Sequence, residues 1–213
     1  TLEEARKVER LNRQVAELRN QLGALQALLD EAEARDEAQK VQIERLGERL
    51  NAALAQKVSE LARYRSVFFE RMEEVLGGRE DIKRVGDRFV FQSEVLFESG
   101  SARLGAEGRA ELSKLGEVLR QLEREAPDGL DWVLRVDGHT DRQPIAPGGQ
   151  FEDNWELSTA RALSVVRYLI EQENVPPTRL AATGFGEYRP VAGGDTPGAY
   201  ARNRRIEFKF TER

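Results

Sequence analysis

The sequence predicts an α+β domain that follows a long α-helical coiled coil, and three observations support this fold class. Residues 1–60 contain no aromatic residue and no proline, whereas the rest of the chain contains both. The first part carries a heptad repeat of apolar residues. The second part alternates short β-type runs with amphipathic helical segments, as in a sheet covered by helices. A chain of 213 residues is long enough for both parts.

The composition excludes several kinds of function. A net charge of −5 argues against a general affinity for nucleic acid. The chain has no cysteine and a single histidine, His139, so we expect no disulfide framework, no metal site and no cofactor. No apolar run reaches the length of a membrane span. Because the sequence starts at Thr1 in the middle of a heptad pattern, we also expect a membrane anchor upstream of it.

Apolar residues in the first part are spaced alternately by three and four positions, which defines a coiled-coil seam. The seam is weak at Ala32, Asp36 and Gln39, and it skips one residue after Leu50. One long helix folded back on the domain is the alternative, but a stripe this narrow favours self-association. The clearest seam residues are Val8, Leu11, Val15, Leu18, Leu22, Leu25 and Leu29.

We predict a coiled-coil stalk over residues 1–76 and a globular domain over residues 77–213, with the boundary at Gly77-Gly78. Valine at a positions and leucine at d positions in the first heptads favours two strands, and so a homodimer. We expect these strands to be parallel, because subunits that are anchored at one membrane must point the same way. A trimer or an antiparallel pair remains open, because leucine occupies the later a positions.

The domain is predicted to have the order β-α-β-α-β-β, in a mixed sheet with helices on one side. The last strand alternates apolar and polar residues, so we expect it to be half-exposed. The second helix is expected to begin with Asn154 as its N-cap and to end before Pro176. We predict strands over 88–92, 132–138, 179–183 and 205–210, a first helix over 107–124, and a loop over 95–104.

Polar residues follow the strand that begins at Trp132 and face the start of the next helix. His139, Thr140 and Asp141 come at the strand's carboxyl end, and Arg161 lies about two turns into the helix. In one cleft, a carboxylate, a guanidinium and the N–H groups of a helix N-terminus would suit a zwitterion such as the end of an amino acid. A capping role for Asp141 and a structural ion pair for Arg161 remain alternatives.

Catalysis is not expected, and we predict no catalytic residue. Ser158, His139 and Asp153 could form a hydrolase triad on paper. However, Ser158 falls inside a predicted helix, and no Gly-x-Ser-x-Gly turn surrounds it.

Three segments together resemble the peptidoglycan-binding domain of the OmpA-like family, over roughly Val85 to Arg213. Within that family, the sequences around Pro144-Ile145 and Pro176-Pro177 are most similar to MotB, the flagellar stator branch. The three segments are Gly138-His139-Thr140-Asp141, Asn154-x-x-Leu157-Ser158-x-x-Arg161-Ala162 and Asn203-Arg204-Arg205-Ile206-Glu207.

The resemblance implies a site for the diaminopimelate of the peptidoglycan stem peptide. The matching aspartate, Asp141, would take its ammonium group, and the matching arginine, Arg161, its carboxylate. Arg204 would either border the site or brace Asp141, and Phe97 would either border the cleft or pack in the core. The ligand-binding residues that we expect are Phe97, Thr140, Asp141, Asn154, Leu157, Ser158, Arg161 and Arg204.

The resemblance also implies a periplasmic location, a tether to the inner membrane and an ion-channel partner subunit like MotA. The long heptad region departs from the short plug and linker of a flagellar stator subunit. We therefore expect an anchor between the wall and a membrane-attached complex, stator-like or otherwise envelope-spanning. A structural coiled-coil scaffold is the alternative, and a wall-processing enzyme is a weaker one.

Overall fold

The structure is a computed structural model that describes residues 2–76, 81–98, 100–127, 130–146 and 148–212. It contains two compact units, one that ends at Gln56 and one that begins at Lys57. Within the described ranges, we find no helix that is both long and apolar enough to cross a membrane.

The described residues of the first unit belong to one helix, α1 (Leu2–Leu76). Good helix formers dominate this sequence, and ion pairs one turn apart, such as Arg35–Glu31 at 2.7 Å, add a little support. Seam residues such as Val8 and Leu22 are exposed in the single chain. The predicted long helix is confirmed, and its pairing in a coiled coil remains a prediction.

The described residues of the second unit include five strands and the remaining helices, and long connections follow β3 and β4. A 3-10 turn covers Pro177–Arg179. The strands are β1 (Ile82–Val85), β2 (Arg88–Gln92), β3 (Trp132–His139), β4 (Leu180–Gly184) and β5 (Arg205–Glu212); the helices are α2 (Ser93–Leu96), α3 (Ala106–Glu125), α4 (Asn154–Glu171) and α5 (Pro197–Asn203).

The five strands form one mixed sheet in the order β1-β2-β5-β3-β4. Only β3 and β4 run parallel; the other neighbours are antiparallel. The sheet includes β1, which the sequence analysis did not predict. It also corrects the expectation of a half-exposed last strand. β5 lies between β2 and β3, and even its charged residues Arg205 and Glu207 are buried.

One face of the sheet carries the apolar core. Phe91 of β2, Val136 of β3 and Phe208 of β5 are buried in one cluster with the apolar faces of α3 and α4. Trp132 and Phe210 stack with ring centroids 5.2 Å apart in the same cluster. The predicted class, an α+β fold with a mixed sheet and its helices on one side, is confirmed.

The last turns of α1 belong to this core. Phe68 and Met72 are fully buried, and Phe68 stacks on Phe210 at 5.4 Å. Arg71 adds an ion pair with Glu125 of α3 at 2.7 Å. The compact unit therefore begins inside α1, at Lys57, rather than at the predicted boundary. Gly77 and Gly78, where that boundary was predicted, lie outside the described residues.

Two local expectations also need correction. The N-cap of α4 is Asp153, not Asn154, because the Asp153 side chain accepts a hydrogen bond from the backbone N–H of Glu156. The segment predicted as a loop over 95–104 begins inside α2, and its ends are joined by a β-bridge between Phe97 and Leu104.

Two glycines allow α4 to lie close against the carboxyl ends of β3 and β4. A Cβ atom on Gly138 would lie 2.1 Å from the carbonyl oxygen of Ser158, and one on Gly184 would lie 2.1 Å from the Thr159 hydroxyl oxygen. Neither distance is possible for a real Cβ. The two glycines therefore set how closely Arg161, further along α4, approaches the residues that follow β3.

Candidate functional site

The residues that follow β3 open onto a cleft of about 560 Å³. Asp141 and Thr140 form one part of its wall, and Arg161 from α4 forms another. Segments distant in sequence complete the lining: Ser93, Glu94, Phe97, Glu98, Gly100, Gln143, Pro144, Ile145, Ala146, Gly149, Gln150, Phe151, Asn154, Leu157 and Arg204. Seven of the eight predicted ligand-binding residues line this cleft; Ser158 is the exception.

Asp141 is an acceptor held in a fixed orientation. Its Oδ1 accepts a hydrogen bond from the backbone N–H of Gln143 at 2.9 Å, and its Oδ2 accepts one from Arg204 Nη1 at 2.6 Å. The residue is only 6% exposed. A carboxylate with two such donors keeps lone pairs for a further cation, since each oxygen can accept more than one bond.

Arg161 is a buried guanidinium without a carboxylate partner among the described residues. It is 5% exposed, its Nε donates to the backbone carbonyl of Ser101 at 2.9 Å, and its Cζ lies 5.3 Å from the ring centroid of Phe97. Burial lowers the pKa of Arg161 below its ordinary value, and Arg204 repels it further, whereas Glu94 and Asp141 act in the opposite direction. Among the described residues, the two terminal N–H₂ groups of Arg161 have no recorded hydrogen-bond partner, so they can bind an anion.

Arg204 connects the two acidic residues of the cleft. Besides its bond to Asp141, it donates from Nε to Glu94 at 2.5 Å. Partial burial lowers the pKa of Arg204, but the hydrogen bonds to Asp141 and Glu94 outweigh this effect, so the pKa is raised. Arg204 therefore does both things that the sequence left open, since it borders the cleft and also braces Asp141.

The other predicted residues take different roles in the cleft. The Thr140 hydroxyl is buried and has no hydrogen-bond partner among the described residues, so it can serve a ligand. Phe97 both lines the cleft and belongs to the apolar core. The Asn154 amide donates to Gln143 O at 3.0 Å and to Glu187, which fixes the wall. Leu157 supplies an apolar surface.

Ser158, which was predicted as a ligand-binding residue, does not line the cleft. It is fully buried outside the cleft lining, its hydroxyl donates to Trp155 O at 3.0 Å, and it accepts from the backbone N–H of Gly186 at 3.0 Å. This serine therefore ties α4 to the turn after β4. At the N-terminus of α4, the Asp153 side chain accepts a hydrogen bond from the backbone N–H of Glu156, so that N–H is not available to a ligand.

His139 lies on the opposite face of the sheet and takes no part in the cleft. Its ring stacks on Phe185 at 5.0 Å and lies 3.8 Å from the Glu207 carboxylate. Burial, together with repulsion from Arg205, lowers the pKa of His139 to about 4, although Glu207 acts against this. The imidazole is therefore neutral at neutral pH.

The sequence analysis missed two residues that shape the electrostatics of the cleft. Glu94 lies on α2 and pairs with Arg204, and Gln143 supplies the backbone donor to Asp141. Gln143 follows Asp141 by two positions, a spacing typical of an Asx turn, so a local signal existed. No local signal marks Glu94, because its partner lies 110 positions away in the sequence.

The charges in the cleft complement a zwitterion. Arg161 offers a planar fork for a carboxylate, and Asp141 with Glu94 offers acceptors for an ammonium group. Glu98 also lines the cleft, so three carboxylates and two guanidinium groups give its lining a formal charge of −1. A ligand with one positive and one negative group would leave that net charge unchanged.

Comparison with known proteins agrees with the sequence resemblance. Motility protein B of Bacillus subtilis (strain 168) is 34% identical over 116 residues, which is 54% of this chain and 41% of that protein. The peptidoglycan-associated lipoprotein of Pseudomonas aeruginosa is 38% identical over 95 residues, 44% of this chain and 53% of that protein. The chain spans about half the length of the curated relatives that it matches.

Among solved structures, the crystal structure of a MotB-like protein from Desulfovibrio vulgaris is similar, with 28% sequence identity and a TM-score of 0.62. The similarity covers 74% of this chain and 99% of that one. Residues 96–204, which include Asp141, Arg161 and Arg204, match the OmpA family, so the chain belongs to the OmpA family.

Proposed function

We propose that this protein binds peptidoglycan without catalysis and holds the zwitterionic end of diaminopimelate in the cleft. The observation that carries the proposal is Arg161, a buried guanidinium that lines the cleft and has no carboxylate partner among the described residues. Leaving a buried charge unpaired costs free energy, so a site that keeps one is suited to an anionic ligand. Asp141 then takes the ammonium group that accompanies the carboxylate.

The family supports an anchoring role. Its members include a protein whose name associates it with peptidoglycan and another whose name associates it with motility. We propose that the domain acts on the periplasmic side of the envelope and fixes a membrane-attached, stator-like complex to the wall. An inner-membrane ion-channel subunit like MotA is the partner that this role would require.

Sedimentation with purified sacculi tests wall binding. Asp141→Asn should reduce the bound fraction by about tenfold or more, because the neutral amide loses a charge-assisted bond to the ammonium group. Asp131→Asn is the matched control, since its exposed carboxylate lies outside the cleft lining. Binding that survives Asp141→Asn would contradict the proposed role of the cleft, and a wild-type protein that does not sediment with sacculi would favour the scaffold alternative. Release of soluble muropeptides would favour a wall-processing enzyme.

We also propose that the heptad region forms a parallel homodimer. Apolar side chains along its seam are exposed, for example Leu18, Leu25 and Leu50. A stripe of this length is unstable in water unless another helix covers it. The pairing of valine and leucine in the first heptads favours two strands. Two linked domains would also raise the avidity for a polymeric wall without a new contact.

Sedimentation equilibrium tests the dimer. We expect the whole chain to be a dimer at concentrations on the order of tens of micromolar, and a chain shortened to begin at Lys57 to be a monomer, because it lacks most of the seam. A matched whole chain with Leu18→Gln and Leu25→Gln should dissociate more readily. A monomeric whole chain would contradict the proposal, whereas a trimer would retain self-association and reject only the two-stranded state.

A further inference from the structure

A second groove, of about 340 Å³, adjoins the cleft along α4. Gln150 and Phe151 line both spaces, so the two are separated only by a shared wall. The connection runs through Ser101, which lines the groove while its carbonyl oxygen accepts the hydrogen bond from Arg161. A ligand that extends out of the cleft on this side enters the groove.

The groove is basic. Arg103 and Arg167 line it, no acidic side chain does, and the remaining lining is neutral. Arg167 is exposed, and no carboxylate of the described residues forms an ion pair with it. Arg103 has one distant partner, Glu98, at 3.6 Å, with 77% of its own side chain exposed. In a chain of net charge −5, two exposed guanidinium groups with one carboxylate beside them make this groove locally positive.

We propose that this groove binds a second carboxylate of the same wall peptide. The inference rests on the proposed function, because it takes the zwitterion to be held by Asp141 and Arg161. Stem peptides with diaminopimelate carry a further free carboxylate on the neighbouring glutamate, unless that group is amidated. Guanidinium groups bind carboxylates in a planar, bidentate way. The groove would then distinguish wall peptides with a free glutamate carboxylate from amidated ones.

Calorimetric titration of the whole chain with three probes tests this inference. The probes are meso-diaminopimelate alone, the tripeptide L-Ala-γ-D-Glu-meso-diaminopimelate, and the same tripeptide with the glutamate α-carboxylate amidated. Wild type should bind the free-carboxylate tripeptide about fivefold more tightly than the amidated one, as expected for solvent-exposed ion pairs. The double variant Arg103→Gln/Arg167→Gln should bind both tripeptides equally, and diaminopimelate as wild type does.

A control variant separates a local contact from a general loss of charge. Arg63→Gln/Arg124→Gln removes the same charge from exposed positions outside the cleft and the groove, and it should keep the fivefold preference. If wild type does not distinguish the tripeptides, or if the groove variant still does, the inference is overturned. If diaminopimelate itself does not bind to wild type, the proposed function fails instead.

Discussion

Replacing Arg161 with alanine should weaken the binding of a diaminopimelate-containing wall peptide by about 2–5 kcal/mol, because a buried charged partner of the ligand is removed. The guanidinium is 5% exposed and lies over the Phe97 ring, so water cannot easily replace it. The loss should appear mainly in the dissociation rate, since the contact forms only in the bound complex.

The lysine variant is the sharper test of geometry. Arg161→Lys keeps the positive charge but cannot reproduce the planar fork, and it also loses the Nε donor to Ser101 O. We expect it to recover little of the affinity. Arg124→Lys, an exposed arginine outside the cleft, is the matched control. Calorimetry should be accompanied by thermal unfolding, to show that both variants are folded. Wild-type affinity in the lysine variant would reject the proposed role of Arg161.

Replacing Phe68 with alanine should destabilise the globular unit by about 3–5 kcal/mol, because it leaves a cavity in a packed aromatic core. Phe68 is fully buried and contacts the rings of Phe69, Phe89 and Phe210. Val75→Ala on the same helix is the control, since Val75 is 41% exposed. Urea unfolding of the two variants should show a large shift of the midpoint for the first and a small one for the second.

Shortening the chain tests whether the end of α1 belongs to the globular unit. A chain that begins at Gly77 lacks Phe68, Phe69, Met72 and Leu76 from the core, so we expect no cooperative unfolding transition. A chain that begins at Lys57 keeps these residues and should unfold cooperatively. Cooperative unfolding of the chain that begins at Gly77 would show that the end of α1 is dispensable, and it would contradict a core that includes Phe68 and Met72.

Much of the secondary structure could be predicted, because the spacing of apolar residues differs between helices and strands. The heptad spacing predicted α1, and alternation in residues 205–210 predicted β5. The position of β5 within the sheet was not accessible in this way. Its alternate residues Arg205 and Glu207 are polar, which suggests a solvent-facing side, yet both are buried and Arg205 donates a hydrogen bond to the Glu207 carboxylate. Local polarity cannot show that two charges neutralise each other.

The sequence carries a signal that the globular unit begins before the predicted boundary. Aromatic residues begin at Tyr64, and Phe68 falls on the continued seam. A large aromatic on a narrow seam indicates a wider packing partner than a second helix. The predicted boundary was instead placed at Gly77-Gly78, because a glycine pair is typical of a helix end. β1 was missed for a related reason: three of its four residues are exposed, so it lacks a clear apolar pattern.

Asp141 and Arg161 could be assigned to one site from the sequence, whereas the contacts of Ser158 and Glu94 could not. Asp141 and Arg161 could be placed together because β3 and α4 are consecutive elements of known polarity. Ser158 is three positions before Arg161, on a neighbouring face of α4, but its contact with Gly186 depends on the loop after β4. The pairing of Glu94 with Arg204 joins two segments from opposite ends of the domain, so only the folded structure could reveal it.

Calorimetric titration with two matched tripeptides tests the central claim most directly. L-Ala-γ-D-Glu-meso-diaminopimelate carries both an ammonium and a carboxylate group at the end of its third side chain, whereas L-Ala-γ-D-Glu-L-Lys carries only the ammonium group. We predict that the intact protein binds the first roughly 10- to 100-fold more tightly, because the second leaves the buried Arg161 without a partner. Equal affinity for the two peptides would contradict the account.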